Sequence, residues 1–287
     1  MNISDLSAWC GIDFDGIYSN PLYQYNVYLV LDGNIISDLV IPDDVEEIKR
    51  LAFHGYTHLK SVKFSTSVKT IGKEAFQGCK YLASITIPKT VTKIEWAAFA
   101  LCERLRSIAV DPENVIYDSR DNCNAIIETT SNTLILGCKT TIIPNSVTSI
   151  GSYAFVGCSG LTEIYCKATN PPTCNTKYQT FSDETLQYVT LYVPTGCKSA
   201  YESVDPWRNF WNIEEYEFSG VESTLVDDVN VSVENGNVVI GGAENANVEV
   251  YNVNGQCVYS GNATTIPVTA KGLYIVKVNN KSFKVIL

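Results

Sequence analysis

The chain has 287 residues, with 31 acidic side chains against 21 basic ones and a net charge of −10. A polyanion binds a basic face that can release its counterions, so nucleic acid and anionic membrane surfaces are poor candidates for the main partner. Hydrophobic residues make up 45% and charged residues 18%, which excludes a disordered chain, and no apolar run reaches the roughly 20 residues of a membrane span.

Residues 1–38 carry no clear repeat. Trp9, Ile12 and Phe14 alternate and Asn20-Pro21-Leu22 marks a turn, so the segment either caps a larger structure or is the tail of a coil whose start is missing. From residue 39 a ruler appears. Ala52-Phe53, Ala75-Phe76 and Ala98-Phe99 follow one another at 23-residue steps, and Ala154-Phe155 comes 56 residues later. Val45, Val68, Val91 and Val147 hold the same phase, as do Ile48, Ile71, Ile94 and Ile150, and Leu59, Leu82, Leu105 and Leu161. Proline recurs at Pro42, Pro88 and Pro144, with Ser65 in the remaining slot. Simple amphipathic periods of roughly 2 or 3.6 residues cannot generate such a phase.

Each unit has two parts. Alternation in Ser61–Ser65 and Ser84–Pro88 predicts a short strand with Val62, Phe64, Ile85 and Ile87 facing inward. The same alternation turns Lys63, Thr86, Ala109 and Tyr165 outward, and these four form the candidate binding face. Apolar spacings of three and four from Val68 to Leu82 fit a short helix or a succession of tight turns. A single coil cannot bury its apolar side, so neighbouring coils must stack, with Phe53, Phe76, Phe99 and Phe155 as one internal column.

The long interval holds 33 residues beyond one step, an insertion at about 111–140. Within it, Ala125–Glu128 and Thr133–Leu136 flank polar Thr129–Asn132 and read as a hairpin, either a flap or an irregular coil. Residues 165–218 leave the ruler through Pro171-Pro172. After Ser219 leucine thins out and seven short strands appear, starting near Val229, Val238, Val248, Cys257, Thr265, Tyr274 and Phe283. Asn235-Gly236, Asn254-Gly255 and Asn279-Asn280 supply turns, and a small Ig-like β-sandwich over 219–287 is expected.

The run Ile41-Pro42-x-x-Val45-x-x-Ile48 with Ala52-Phe53, its copy Ile87-Pro88-x-x-Val91-x-x-Ile94 with Ala98-Phe99, and Ile143-Pro144-x-x-Val147-x-x-Ile150-Gly151 with Ala154-Phe155-x-Gly157-Cys158 resemble the BspA-type leucine-rich repeat family of bacterial surface proteins, common in Bacteroides-like organisms. The resemblance spans residues 1 to 218. It departs from the pattern at Ser65, at Lys49 and Glu95 where Gly72 and Gly151 stand in other coils, and at Tyr56 in the cysteine slot. It implies a leucine-rich repeat solenoid of short parallel strands with short helices or turns. Residues 39–164 would be its coils and 165–218 its closing segment, with Trp207, Phe210 and Trp211 covering the last coil. It also implies an exported surface protein that binds a host or microbial protein, and it offers no catalytic residue to carry over. The run from Val248 to Gly255, with Gly272–Val278 and a basic, apolar end, resembles the C-terminal sorting domain of type IX secretion. An ordinary Ig-like accessory domain fits the same strands. The chain opens without a basic and apolar leader, so export implies a leader removed from this sequence.

Chemistry by side chains finds little purchase. Cys79, Cys102 and Cys158 share one slot and read as buried free thiols, since no Cys-x-x-Cys pair suggests a metal site. Cys123 and Cys138 flank the hairpin and are the favoured disulfide. The two histidines, His54 and His58, lack the intervening glutamate of a zinc protease and align with Gln77 and Tyr81, which places them on a solvated face. Asp43-Asp44, Glu46-Glu47 and Asp227-Asp228 read as solubility charge. No catalytic, cofactor or metal residue is therefore assigned. Trp96 occupies a slot held elsewhere by Arg50, Lys73 and Ser152, so it should be exposed, either as an interaction hot spot or packed on the insertion. A glycan stacking on Trp96, Tyr165 and other tyrosines is the alternative partner to a protein.

Overall fold

The computed structural model describes residues 1–24, 27–175 and 178–218, and beyond them 230–234, 237–241, 247–252, 256–268, 273–278 and 281–286. The chain forms two units, Met1–Phe218 and Ser219–Leu287. The turns expected at Asn235-Gly236, Asn254-Gly255 and Asn279-Asn280, and the pair Asp227-Asp228, lie outside the described residues.

The first unit is a β-solenoid of about eight turns. One strand per turn builds its strand face as two parallel four-stranded sheets. The first contains Asp38–Val40, Ser61–Lys63, Ser84–Ile87 and Ser107–Val110. The second contains Ile142–Ile143, Glu163–Cys166, Thr190–Pro194 and Asn212–Tyr216. A narrower ladder of two-residue strands, Glu47–Ile48, Thr70–Ile71 and Lys93–Ile94, pairs in register at the start of the other half of each coil. The rest of that half is a chain of tight turns rather than a helix. Its left-handed residue recurs with the ruler, at Leu51, Glu74, Ala97 and Tyr153, with φ of 61°, 57°, 55° and 62°. A non-glycine residue there costs roughly 1–2 kcal/mol, and bonds between coils offset it: Phe53 N–H donates to Ala75 O and Phe76 N–H to Ala98 O, both at 2.8 Å.

The phenylalanine column is divided. Phe53 stacks on Phe76 at 5.2 Å and Phe76 on Phe99 at 5.3 Å, but Phe155 belongs to a second core cluster and stacks on Phe181 at 5.4 Å. The insertion is the cause. Its strand Thr133–Leu136 pairs in parallel with Ser149–Ile150, so the hairpin is an irregular coil within the stack and not a flap over it. Gly137 passes so close to Phe155 that a Cβ there would lie 2.4 Å from the ring. Side chains close the interrupted sheet edges: Ile94 N–H donates to Tyr117 Oη at 2.9 Å and Ile108 N–H to Asn124 Oδ1 at 2.5 Å.

Residues 1–38 pack onto the first coil. Helix Leu6–Cys10 is capped by Asp5, whose carboxylate accepts from Ala8 N–H at 3.0 Å. Trp9 Nε1 donates to Ala52 O at 3.0 Å, Asn20 Nδ2 to Leu51 O at 2.5 Å, and Lys49 N–H to Cys10 O at 2.9 Å. This layer overturns the solvated-face reading of the histidines. His54 is buried, with Tyr23 packed on it at 5.6 Å, and His58 is half-buried with Tyr28 stacked at 4.0 Å. In the next coil the matching slots hold half-buried Gln77 and exposed Tyr81. At the other end Trp207 and Tyr201 are fully buried and Phe210 nearly so, whereas Trp211 stands 73% exposed and takes no part in closing the last coil.

The favoured disulfide is also corrected. All ten cysteines are free. Cys123 and Cys138 sit in different core clusters, with Cys123 Sγ 3.8 Å from Ser119 Oγ and Cys138 Sγ 3.6 Å from Asn124 O.

The second unit has two antiparallel sheets. One holds Asn230–Glu234, Asn237–Gly241 and Thr265–Pro267, the other Cys257–Gly261, Val248–Asn252, Leu273–Val278 and Lys281–Ile286. Val238, Ile240 and Ile266 from the first share one core with Val248, Val250, Val276 and Val285 from the second, the arrangement of a small sandwich. No helix among the described residues is long and apolar enough to cross a membrane.

Candidate interaction surfaces

On the strand face, burial of Val62, Ile85 and Ile108 on the inner side sends Lys63, Thr86 and Ala109 outward, and all three are exposed. Thr86 pairs with Ala109, and the Ser61 to Ser84 register puts Lys63 on the same rung. The rung below is Ser61, Ser84 and Ser107, with Asp38 accepting from Ser61 Oγ at 2.5 Å. This half of the face is small-sided and polar.

Tyr165 lies in the other sheet. Ile164 and Cys166 point inward on either side of it, and its registered neighbours are Ile142 and Tyr192. Tyr165 and Tyr192 stack at 4.7 Å and 12°. Tyr216 meets them edge-on at 5.3 and 5.8 Å, and Phe218 adds a fourth ring 5.0 Å from Tyr216. Glu163 accepts from Tyr165 Oη at 3.1 Å. Partial desolvation first, and then Glu163, raises the Tyr165 phenol above its ordinary value, and desolvation followed by Glu214 does the same at Tyr192. The result is an aromatic patch with acidic neighbours, presented to solvent by a rigid sheet. Tyr192 was legible, since inward Leu191 and Val193 flank it. Tyr216 and Phe218 lie beyond the ruler.

Trp96 is on the turn side, apart from both rows, and is 37% exposed. It packs edge-on against Tyr153 at 5.1 Å and Tyr178 at 5.5 Å, with Lys73 Nζ 4.9 Å above its ring. Both aromatic partners are outside the insertion. Beside it opens a cleft of about 150 Å³, lined by Trp96, Phe99, Ile135, Leu136, Gly151 and Tyr153 among others. Its carboxylate, Glu95, is already engaged: Oε2 accepts from Lys73 N–H at 2.9 Å and Oε1 from Lys93 Nζ at 2.5 Å.

The cysteine slot serves packing. Desolvation drives the Cys102 and Cys158 thiols up to about 12, so neither forms a thiolate nucleophile near neutral pH. No group of three His, Cys, Asp or Glu side chains suited to a metal ion occurs among the described residues.

Three solved structures resemble this fold. The crystal structure of the pneumococcal vaccine antigen PcpA matches with a TM-score of 0.42 and 23% identity, over 48% of this chain and 39% of that one. A leucine-rich cell surface protein from Faecalibacterium prausnitzii matches with 0.41 and 20%, over 65% and 61%. A leucine-rich repeat protein from Eubacterium ventriosum matches with 0.28 and 16%, over 64% and 70%. The chain thus spans less than two thirds of the length of the first two relatives, 39% and 61%. No curated protein matches it. The model of the BspA type leucine rich repeat region matches residues 31–131 and 136–230, in six copies. That stretch contains every 23-residue coil described above, and the chain belongs to the BspA-type leucine-rich repeat family.

Proposed function

We propose that this is a non-enzymatic, exported cell-surface protein whose solenoid binds another macromolecule, a host or microbial surface protein, through its outward strand face. The observation that carries this reading is the Tyr165, Tyr192, Tyr216 and Phe218 cluster. These rings sit on the solvent side of a sheet whose core is already filled, and tyrosine offers large, stiff contact area at low entropic cost. Lys63, Thr86 and Ala109 continue the face over the first sheet. Membership of the BspA-type family supports a binding or adhesion role, and the sandwich at 219–287, with its resemblance to a type IX sorting domain, supports the export address.

Glycan capture is the second reading, favoured by the stacked Tyr165 and Tyr192 pair and by Trp96. Immobilised extracellular-matrix proteins and a glycan array, probed in parallel with the wild type and with Tyr165→Ala/Tyr192→Ala, separate the two. Saturable binding to a protein that the double substitution removes supports the first; binding confined to the array supports the second. Turnover of peptide or glycoside panels by the purified chain would refute the non-enzymatic reading.

A further inference from the structure

In the first two coils, the turn after the isoleucine donates its backbone N–H groups to the next coil in a fixed register. Leu51 donates to Lys73 O at 3.0 Å and Phe53 to Ala75 O at 2.8 Å; Glu74 donates to Trp96 O at 3.1 Å and Phe76 to Ala98 O at 2.8 Å. Continued once more, this register would carry Ala97 N–H to the carbonyl of Ser119 and Phe99 N–H to that of Asp121. The chain holds phase only as far as Tyr117, which fills the isoleucine slot, and then leaves through the turn Arg120–Asn122 into the inserted hairpin. Direct stacking resumes at Leu101, whose N–H meets Val156 O at 3.2 Å. In between, the Ala97 and Phe99 N–H groups find no acceptor among the described residues. Both residues line the Trp96 cleft.

We propose that this cleft binds an extended peptide strand that takes the place of the missing coil turn. Two carbonyls of the peptide, two residues apart, accept from Ala97 and Phe99 N–H, and one aromatic or branched aliphatic side chain enters the cavity against Trp96 and Tyr153. Backbone donors at alternate positions match alternate carbonyls, the pairing by which an extended segment adds to an exposed edge. The cavity of about 150 Å³ is the size that accepts a benzene-sized ring. A sugar is the weaker fit, because Ile94, Phe99, Ile135 and Leu136 leave the lining apolar and both Glu95 oxygens are taken. The proposal deepens the protein-binding reading by naming a partner class at a second place, and its test does not depend on the strand face.

The test is amide hydrogen exchange, read by NMR on the full chain, with an acetylated and amidated synthetic peptide copying Lys73–Gly78 as the probe. That segment carries the carbonyls that seat on the preceding coil. Free, the Ala97 and Phe99 amides exchange at least about tenfold faster than those of Glu74 and Phe76, and the peptide slows both by about tenfold or more. Trp96→Ala and Trp96→Arg, the latter borrowing the residue of the Arg50 slot, abolish that slowing; retained protection at Glu74 and Phe76 certifies their fold. The proposal is overturned if Ala97 and Phe99 are as protected as Glu74 and Phe76 without peptide, or if saturating peptide leaves them unchanged. Protection that survives both Trp96 substitutions, or that comes from an N-acetylglucosamine oligomer instead, overturns it equally. Failure here leaves the Tyr165 reading standing, and Tyr165→Ala/Tyr192→Ala leaves this readout unchanged.

Discussion

The thiol of Cys102 donates to the carbonyl of Phe76 at 3.4 Å, reaching back one coil, and Cys79 does the same to Phe53 at 3.3 Å. The repeat thus uses cysteine as a small, buried hydrophobe with a weak donor, bonded to the carbonyl of the preceding column residue. In the first coil Tyr56 takes the slot, and its hydroxyl donates further back, to Ile36 O at 2.6 Å.

Native thiol labelling follows from that burial. Cys257 is the exposed cysteine, whereas Cys79, Cys102 and Cys166 are fully or nearly fully buried, with their thiols held above the ordinary value by desolvation. Iodoacetamide at pH 8 is expected to modify Cys257 first and the solenoid core thiols only on unfolding, as read by peptide mass spectrometry. Fast labelling of Cys102 in the native protein would contradict this packing.

The middle of the column should be the costliest place to cut. Phe76 stacks on Phe53 and Phe99 and meets Phe64 edge-on at 5.8 Å. Phe76→Ala is expected to destabilise the solenoid by about 3–5 kcal/mol, measured as a shift in the urea midpoint. A loss under about 1 kcal/mol would mean that the site collapses around the gap or that the column is not continuous there.

Stability should depend on pH through His54. Burial lowers its pKa from the ordinary value of 6.5, with Glu74 acting in the opposite direction. The unfolded chain therefore binds the proton more tightly. The neutral form's contribution is complete above about pH 6.5 and is lost as pH falls through the lower folded value. His54→Gln, which installs the residue of the Gln77 slot, should flatten the dependence between pH 7.5 and 5 in urea titrations. An unchanged slope would assign the dependence to other groups.

Where the ladders break, two side chains hold the edge. Tyr117→Phe leaves Ile94 N–H without its acceptor, and Asn124→Ala does the same to Ile108 N–H, while the Arg106 carbonyl loses Asn124 Nδ2 at 2.8 Å and keeps Thr140 Oγ1 at 2.9 Å. Each is expected to cost about 1–3 kcal/mol, with faster amide exchange confined to the third and fourth coils.

The stacked coils were legible because Phe53, Phe76 and Phe99 and their neighbours repeat at one interval, and only stacking gives that interval a meaning. The divided column was not, because the path of Gly137 past Phe155 depends on which coil the hairpin strand pairs with. His54 was misread for a similar reason: its cover, Tyr23, comes from a segment with no repeat to align. On the candidate face, alternation turns Tyr165 and, by the same rule, Tyr192 outward, but Tyr192 and Tyr216 follow Tyr165 by 27 and 51 residues, off the ruler, so the meeting of the three rings was not legible. The Trp96 cleft arises where the chain stops following its period after Tyr117; the 33 extra residues mark that interruption in the sequence, but not which backbone donors it leaves without a coil to meet.

The outward cluster of Tyr165, Tyr192, Tyr216 and Phe218 is proposed as the binding surface. Its most direct measurement is equilibrium binding, by biolayer interferometry, of the wild type and of Tyr165→Ala/Tyr192→Ala to a panel of immobilised extracellular-matrix proteins, with circular dichroism and urea midpoints certifying that both are folded. Saturable binding to at least one protein of the panel is expected, weakened by at least about tenfold in the double substitution. Equal affinity of the folded double variant, or binding retained in full by the isolated unit Ser219–Leu287, would contradict it.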